Sequence, residues 1–476
     1  MDTVIVGGGI SGLSAARWLH KNSSKDFIVL DLEKQMGGNA AYGQNNISAY
    51  PWGAHYVPVP NLGLKEYADF LSECGVITGF NDNGLPVLNE FYLCHDPQER
   101  LYINGQWQDG LIPHFGVPEN DRKEIELFLQ LMQGYREAKG KDGKEAFAIP
   151  IDTSSKDEVF TTLDAITMKA WLHGKQLTSS YLHWYVNYCT RDDFGTPYDM
   201  VSAWAGIHYF AGRKGKAVNA DYHDVLTWPN GNGWLNEQLQ QPIKQQLHNN
   251  ALVVKVFEEN NKVVVHYLDV KTQELKAIEA NDCIMATPQF VNARLLTNAS
   301  ERNKTIHEQW AYAPWMVANI TASQFIEKNG APLSWDNVFY GGKSLGYVTA
   351  THQLLQQQKQ ENNFTYYLPL NDDAPVLARK NAQTMQHADW VKLILEDLKK
   401  VHPNVEDAIS HIDVMVWGHA MAQPLPGMIH GEGRKQLQQS LCNIHFAHTD
   451  LAGISIFEEA FYQGINAAKK ILATTV

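Results

Sequence analysis

Apolar positions run without a break from Thr3 to Val6, stop at Gly7-Gly8-Gly9, and resume with helical spacing over residues 11–20. A second apolar run, FIVLD, occupies 27–31. Short continuous apolar runs bounded by a turn read as buried strands, and a 3.6-residue period reads as helix. The pattern therefore predicts strand, glycine turn, helix, strand, which is the first half of a βαβ unit. Further on, two β-rich runs around "EENNK" in 251–269 predict a hairpin. "NDCIMATPQ" (281–289) predicts a buried strand ending at Thr287-Pro288. Residues 310–425 carry strand-like runs ("WMVANITA", "FTYYLPL", "DVMVWGHA") and a helical stretch near 388–401. The tail reads as strand, loop and long helix, with Phe457, Ala460, Phe461, Gly464, Ile465, Ala468, Ile471 and Leu472 on one face. No internal repeat is present. Strand and helix pieces at the start, middle and end predict one discontinuous α/β unit interrupted by two long insertions.

Composition narrows this picture only a little. A chain of 476 residues, 44% apolar and 19% charged, is ordinary globular material with room for two or three domains. The formal net charge of −13 argues against nucleic-acid or anionic-membrane partners, which require a basic face. It suits a cationic substrate, though most acidic proteins are simply soluble. The five cysteines (Cys74, Cys94, Cys189, Cys283, Cys442) are scattered, form no C-x-x-C pair, and predict buried free thiols and no metal site. No apolar run approaches the roughly 20 residues that cross a bilayer. The expectation is a soluble chain without a transmembrane segment, cytoplasmic, or periplasmic if a leader has been removed; its oligomeric state is not written in the sequence.

Gly7, Gly9 and Gly12 fit G-x-G-x-x-G between a strand and a helix, with Ser11 in the first helical turn. In that motif the first glycine permits the tight turn, the second lets backbone approach a pyrophosphate, and the third lets helix and strand pack closely. The phosphates then face the unpaired N–H groups of the helix. Asp31 ends the second strand, where a carboxylate accepts hydrogen bonds from a ribose. Together these predict a dinucleotide site.

The next turn, "LEKQMGGNAAYG", places Gly37-Gly38 after Asp31 in the spacing acid-x5-G-G. This resembles the flavin-containing amine oxidase superfamily, which includes monoamine and polyamine oxidases, protoporphyrinogen oxidase and phytoene desaturase. The resemblance implies FAD, bound by a Rossmann-like domain (1–75, 225–295 and 411–476), with a mixed α+β substrate-binding domain formed by the insertions (76–224 and 296–410). It implies that the glycine pair runs close to the flavin, with Asn39 standing where such families usually carry arginine. It implies that backbone near Val253 brackets the adenine and that Ala286 and Pro288 lie beside the cofactor. The tail Phe446-Ala447-His448-Thr449-Asp450 resembles the family's closing motif, with His448 at its glycine; Thr449 or Asp450 is then the ribityl contact. Phe457 and Glu458 start the helix that faces the flavin pyrimidine. In "SAYPWGAHYVPVP" (48–60) Trp52, His55 and Tyr56 are candidates to line the flavin, and in "VMVWGHAMAQPLPG" (414–427) Trp417 and His419 are candidates. A histidine in either place exchanges protons near neutral pH unless it is a satisfied core residue.

The stretch 189–213 is dense in charge and aromatics; Arg191, Asp192, Asp193, His208 and Tyr209 are candidates for a substrate pocket, the competing reading being mutual pairing and helix capping. Two absences bear on chemistry. No lysine lies between Lys304 and Lys328, where many oxidases of the family carry one beside flavin N5, so dehydrogenase behaviour stays open. No cysteine lies in 414–430, so noncovalent FAD is expected. A single fingerprint makes a separate NAD(P)H domain unexpected. The functional expectation is hydride transfer from a small organic substrate to FAD, at a C–N bond as in amine oxidases. A C–C desaturase or dehydrogenase, a flavin isomerase or mutase without net redox change, and a non-enzymatic role like that of GDP dissociation inhibitors are the alternatives.

Overall fold

A computed structural model describes residues 1–296, 298–354 and 360–473. Thr3–Val6 is the centre of a five-stranded, wholly parallel sheet. Across it the strands run Leu247–His248, Phe27–Leu30, Thr3–Val6, Asp282–Met285 and Ile444–Phe446, in register pairs such as Val4 with Ile28 and Val4 with Cys283. Counted in chain order this is 3-2-1-4-5, the doubly wound arrangement in which ligands sit at the carboxyl ends of the strands. Its central strands are buried on both faces, which is why they read as unbroken apolar runs.

The helix Ile10–Asn22 and the terminal helix Phe457–Ala473 pack together on one face of this sheet. Gly464 permits the contact: a Cβ there would stand 2.1 Å from the Ser11 carbonyl oxygen. The last helix is thereby fixed against the first glycine turn, although the two are far apart in sequence. The hairpin forms as expected from Ala251–Glu259 and Lys262–Asp269, and Glu274–Ala280 extends it to a three-stranded sheet. Its turn uses Asn260 and Asn261, both at positive φ, the preference of a two-residue hairpin loop.

The insertions build a seven-stranded mixed sheet in the order Ile409–Ala422, Tyr312–Ala322, Asn362–Pro369, Tyr347–Thr349, Asp336–Phe339, Glu99–Ile103, Gln106–Asp109. The expected boundary at 411 falls inside the first of these strands. That strand pairs with its neighbour from Tyr312–Ala422 to Ala322–Ile409, so residues up to 422 belong to the insertion sheet because their ladder is satisfied there. Helices Glu119–Glu137, Ser180–Phe194 and Ala203–Ala211 pack beside it around Phe128, Phe147 and Trp204. Among the cysteines only Cys442 is exposed, unlike the expectation of buried thiols, because it sits in the turn before the last strand of the parallel sheet. Among the described residues no helix is long and apolar enough to cross a membrane.

Candidate active site

Three adjoining cavities run from the parallel sheet into the insertions. The first, of about 210 Å³, is walled by the glycine turn (Gly7, Gly9, Ser11), by Asp31, by Gly37, Gly38 and Asn39, and by Ala286 and Pro288. Thr449, Asp450 and Phe457 close it from the tail. Gly7 needs its glycine twice over: φ is +106°, and a Cβ would meet the Ala286 carbonyl oxygen at 2.7 Å. The Gly37 N–H donates to the Gly8 carbonyl at 2.8 Å, and the Gly8 N–H donates to the Asp31 carboxylate, tying both turns to the acid. Burial raises the Asp31 carboxyl against these two stabilising N–H bonds, from Gly8 and Glu33.

This cavity fits a dinucleotide. A Cβ at Gly9 would meet no protein atom nearer than the Gly38 Cα at 4.0 Å, so it would stand in the cavity itself. Asn232, on the wall shared with the second cavity, has a buried Oδ1 without a hydrogen-bond partner. An orphaned buried acceptor facing a cavity is the mark of a missing donor. Asp450 has a different task. Its buried carboxylate accepts the Gln289 N–H at 2.8 Å and the Tyr312 hydroxyl at 2.6 Å, and pairs with His448 at 3.0 Å. Burial works to raise it, but His448, Tyr312 and Gln289 outweigh burial and hold it below the ordinary range.

The second cavity, about 150 Å³, shares Asn39, Ala420, Ser455 and Phe457 with the first and continues toward the insertions. Trp417 lies on its wall and donates its indole N–H to the Trp52 carbonyl at 2.6 Å. Trp52 thus stands behind the wall and positions Trp417. The strand Tyr312–Ala322, where the resemblance places a lysine, turns Trp315 and Val317 to this cavity. His55 stacks on Tyr367 with centroids 4.6 Å apart, and burial lowers its pKa to about 4, so it is neutral. His419 lies on the first cavity, stacked on Phe290 at 4.2 Å and likewise lowered to about 4 by burial and then by Arg379 and Arg294. Glu458, 2% exposed, lines the second cavity with Oε2 unpartnered.

The third cavity, about 480 Å³, shares His55, Tyr56, Asp192, Arg213 and Tyr367 with the second. Glu99, Asp192 and Asp336 face into it among Tyr185, Tyr188, Tyr209 and Trp335. Glu99 and Asp336 are register partners on parallel strands, which puts both side chains on one face. Burial, opposed by Arg213 and assisted by Asp109, raises Glu99 to about 7. Burial and the adjacent Asp193 raise Asp192 to about 7. Asp336 is pushed well up by burial, then by Glu99 and Asp192; Tyr188 donates to it at 3.3 Å. Arg213 is bound to Asp193 at 2.6 Å and lies over the Tyr209 ring at 4.8 Å. Burial opposes its charge, but Asp193, Tyr56 and Tyr209 overcome burial and keep it protonated.

Some expected residues lie elsewhere. His208 does not reach the pocket: the helix Ala203–Ala211 turns it into the core, where it bonds the Ala148 carbonyl at 2.9 Å and stacks on Trp204, while Tyr209 takes the cavity side. Arg191 also points away and donates to the Lys343 carbonyl at 2.5 Å. Asp193 lines the second cavity through its pair with Arg213. Gly12 is a packing glycine, since a Cβ there would be 1.9 Å from the Gly7 carbonyl oxygen. Val253 packs its side chain with Val4, Val6, Ile28 and Leu30, off the cavity walls. Sequence reading missed Glu99, Asp336, Arg213, Asn232 and Tyr367. Arg213 closes the charge-dense stretch already noted; the two acids had no local signal, because strand pairing alone brings them together.

Residues 10–472 match the family described as flavin containing amine oxidoreductase. The chain belongs to this family. FAD is the family's cofactor, and the family consists of FAD-dependent oxidoreductases. An amine oxidase [flavin-containing] of Oncorhynchus mykiss is 24% identical over 315 residues, 64% of this chain and 54% of that protein. The chain thus spans about half the length of this curated relative. Among solved structures, putrescine oxidase bound to putrescine superimposes with TM-score 0.74 at 15% identity, covering 99% of each chain. A CLA-producing fatty acid isomerase from P. acnes superimposes with TM-score 0.67 at 14% identity, covering 98% of each. These likenesses establish the fold over nearly the whole chain.

Proposed function

We propose that this protein oxidises a small amine carrying more than one positive charge, at the carbon bearing a nitrogen, with noncovalently bound FAD. One observation carries the reading: the third cavity presents four acids, Glu99, Asp109, Asp192 and Asp336, against two arginines, of which Arg213 is already committed to Asp193 and Arg136 is held on the Phe210 carbonyl and the Tyr222 ring. An uncompensated set of buried carboxylates attracts cations and repels anions. The putrescine oxidase fold match agrees with a diamine, whereas a free fatty acid would meet like charge.

When bound, FAD would supply the acceptor for one hydride, that is, two electrons and a proton. The chain's own residues do the rest. Gly9 and Gly38 admit the phosphates beside bare backbone, and Asp31 holds the ribose. Trp417, Trp315 and Tyr367 wall the second cavity and exclude water from it. Asp192, on the wall between the second and third cavities, holds one ammonium and takes its proton at the carboxylate, which at about 7 is suited to exchange near neutral pH. Glu99 and Asp336, on the third cavity alone, hold the second ammonium. His55 and Tyr56 line the passage between them; His55 is neutral and offers a hydrogen bond without adding charge. Among the described residues no cysteine lines the first or second cavity, which supports noncovalent attachment.

Anaerobic addition of diamines, monoamines, neutral alcohols and fatty acids to the yellow protein tests the reading. Diamines should bleach the flavin faster than monoamines of equal length, and E99Q or D336N should remove that advantage. Failure of every amine to bleach it, or bleaching by an anionic substrate, would overturn the assignment. Reoxidation by oxygen and by an artificial acceptor then identifies the electron sink.

A further inference from the structure

Glu458 has no part in holding the substrate, yet it is a buried carboxyl turned to the cofactor space. It sits in the first turn of the helix Phe457–Ala473, is 2% exposed, and lines the second cavity. Its Oε2 has no hydrogen-bond partner. The next residue provides the contrast. Glu459 is equally buried and likewise leaves its Oε2 without a partner, but its Oε1 accepts the Ile151 N–H at 2.6 Å and it lies off the three cavities. Glu459 is therefore a structural acceptor, and Glu458 is left facing the cavity.

The groups around Glu458 do not neutralise it. Arg213 is the near cation, and it is bound to Asp193 at 2.6 Å. Asp193 adds repulsion, and the Tyr67 hydroxyl on the helix Lys65–Glu73 lies near enough to sense the carboxyl. The terminal helix contributes its N-terminal dipole and the Glu458 N–H, both of which favour the ionised form. Against these, burial dominates and brings the group to about 7. It is thus balanced between two protonation states, in a space where one added negative charge acts at low dielectric.

We propose that Glu458 is the charge-compensating carboxyl of the cofactor site, taking up one proton when two electrons enter the bound FAD and releasing it when they leave. The balance is simple. The substrate gives up a hydride to the cofactor, the cavity gains one negative charge, and the Glu458 carboxylate binds one solvent proton to become a neutral acid. Reoxidation reverses both changes. The role is one of positioning charge, since no substrate bond is broken at Glu458. It rests on FAD occupying the second cavity and does not depend on the amine reading.

The test is redox potentiometry of the FAD-loaded protein from pH 6 to 9, with wild type, E458Q, E458D, E459Q and D192N. One additional proton per two electrons steepens the potential by about 30 mV per pH unit. Wild type should have this excess slope above pH 7; D192N and E459Q should keep it. E458Q should lose it and should have a higher potential than wild type at pH 8, where the ionised glutamate opposes reduction. E458D, which retains the acid, should restore part of the slope. Proton uptake on dithionite reduction in weak buffer reads the same quantity on wild type alone, in case E458Q fails to hold FAD. A wild-type slope equal to that of the cofactor itself, or an unchanged slope in E458Q, would overturn the proposal. Excess slope lost in D192N but kept in E458Q would also overturn it.

Discussion

Arg213 and Asp193 form a 2.6 Å ion pair on the wall of the second cavity, with both side chains largely withdrawn from solvent (19% and 11% exposed). Arg213 also reaches the third cavity, where it and Arg136 face four acids. Breaking a buried pair by removing one partner leaves the other charge uncompensated, at a cost of about 3–5 kcal/mol. R213M should therefore lower the thermal midpoint substantially, and D193N should lower it less, because Arg213 retains other carboxylates nearby. The double variant R213M/D193N should recover much of the loss. A double variant as unstable as R213M would show that the guanidinium contributes by packing on Tyr209 and not by charge.

Glu99 and Asp192, both near 7, give the pH dependence a definite sign. Cation binding needs them ionised, so kcat/KM for a diamine should rise as pH increases through 7, and D192N should flatten the rise. Stability moves the other way. A carboxyl whose folded pKa exceeds its unfolded value binds protons more tightly when folded, so stability falls as pH rises from about 4 to about 7. D192N should be more heat-stable than wild type at pH 8 and equal to it at pH 4. His55, lowered to about 4, should contribute no inflection between pH 6 and 7.

Two neighbouring glycines should fail in different ways. A side chain at Gly9 enters the cavity, while one at Gly12 collides with the Gly7 carbonyl oxygen at 1.9 Å. G9V should fold normally by circular dichroism but retain at least tenfold less FAD, since its backbone is already extended at φ −76°. G12V should lose both cofactor and thermal stability. Normal flavin content in G9V would dissociate this cavity from the dinucleotide.

D450A removes the acceptor for the Gln289 N–H and the Tyr312 hydroxyl together, and the carboxylate that faces His448. Hydrogen bonds to a charged group contribute about 1.5–3 kcal/mol each, so the loss should amount to several kcal/mol. Because Asp450 is held below its ordinary pKa, its stabilisation is present at neutral pH and lost as pH falls through the acid range. D450N should retain part of the stability at pH 7, and its deficit from wild type should shrink as pH falls below about 4, by thermal unfolding. Equal midpoints at pH 7 for wild type and D450A would remove this role.

The cofactor end was legible in the chain because its signals are local. Gly7, Gly9, Asp31 and Gly38 act through backbone conformation and close approach, which fixed spacing in one βαβ unit encodes, and the terminal helix announced itself by periodicity. Trp417 and His419 were found from their place before the closing motif; which cavity each faces depends on the twist of the strand Ile409–Ala422. His208 and Arg191 were misplaced because residue type in a dense stretch does not tell which face of a helix meets a cavity. Glu99 and Asp336 belong wholly to the tertiary structure. Nothing near either residue marks it as functional until parallel pairing brings their strands together and burial makes two ordinary acids costly to ionise. Sequence spacing determined that this protein holds a dinucleotide; the charge of the space beyond it arises from long-range packing, which only the folded chain decides.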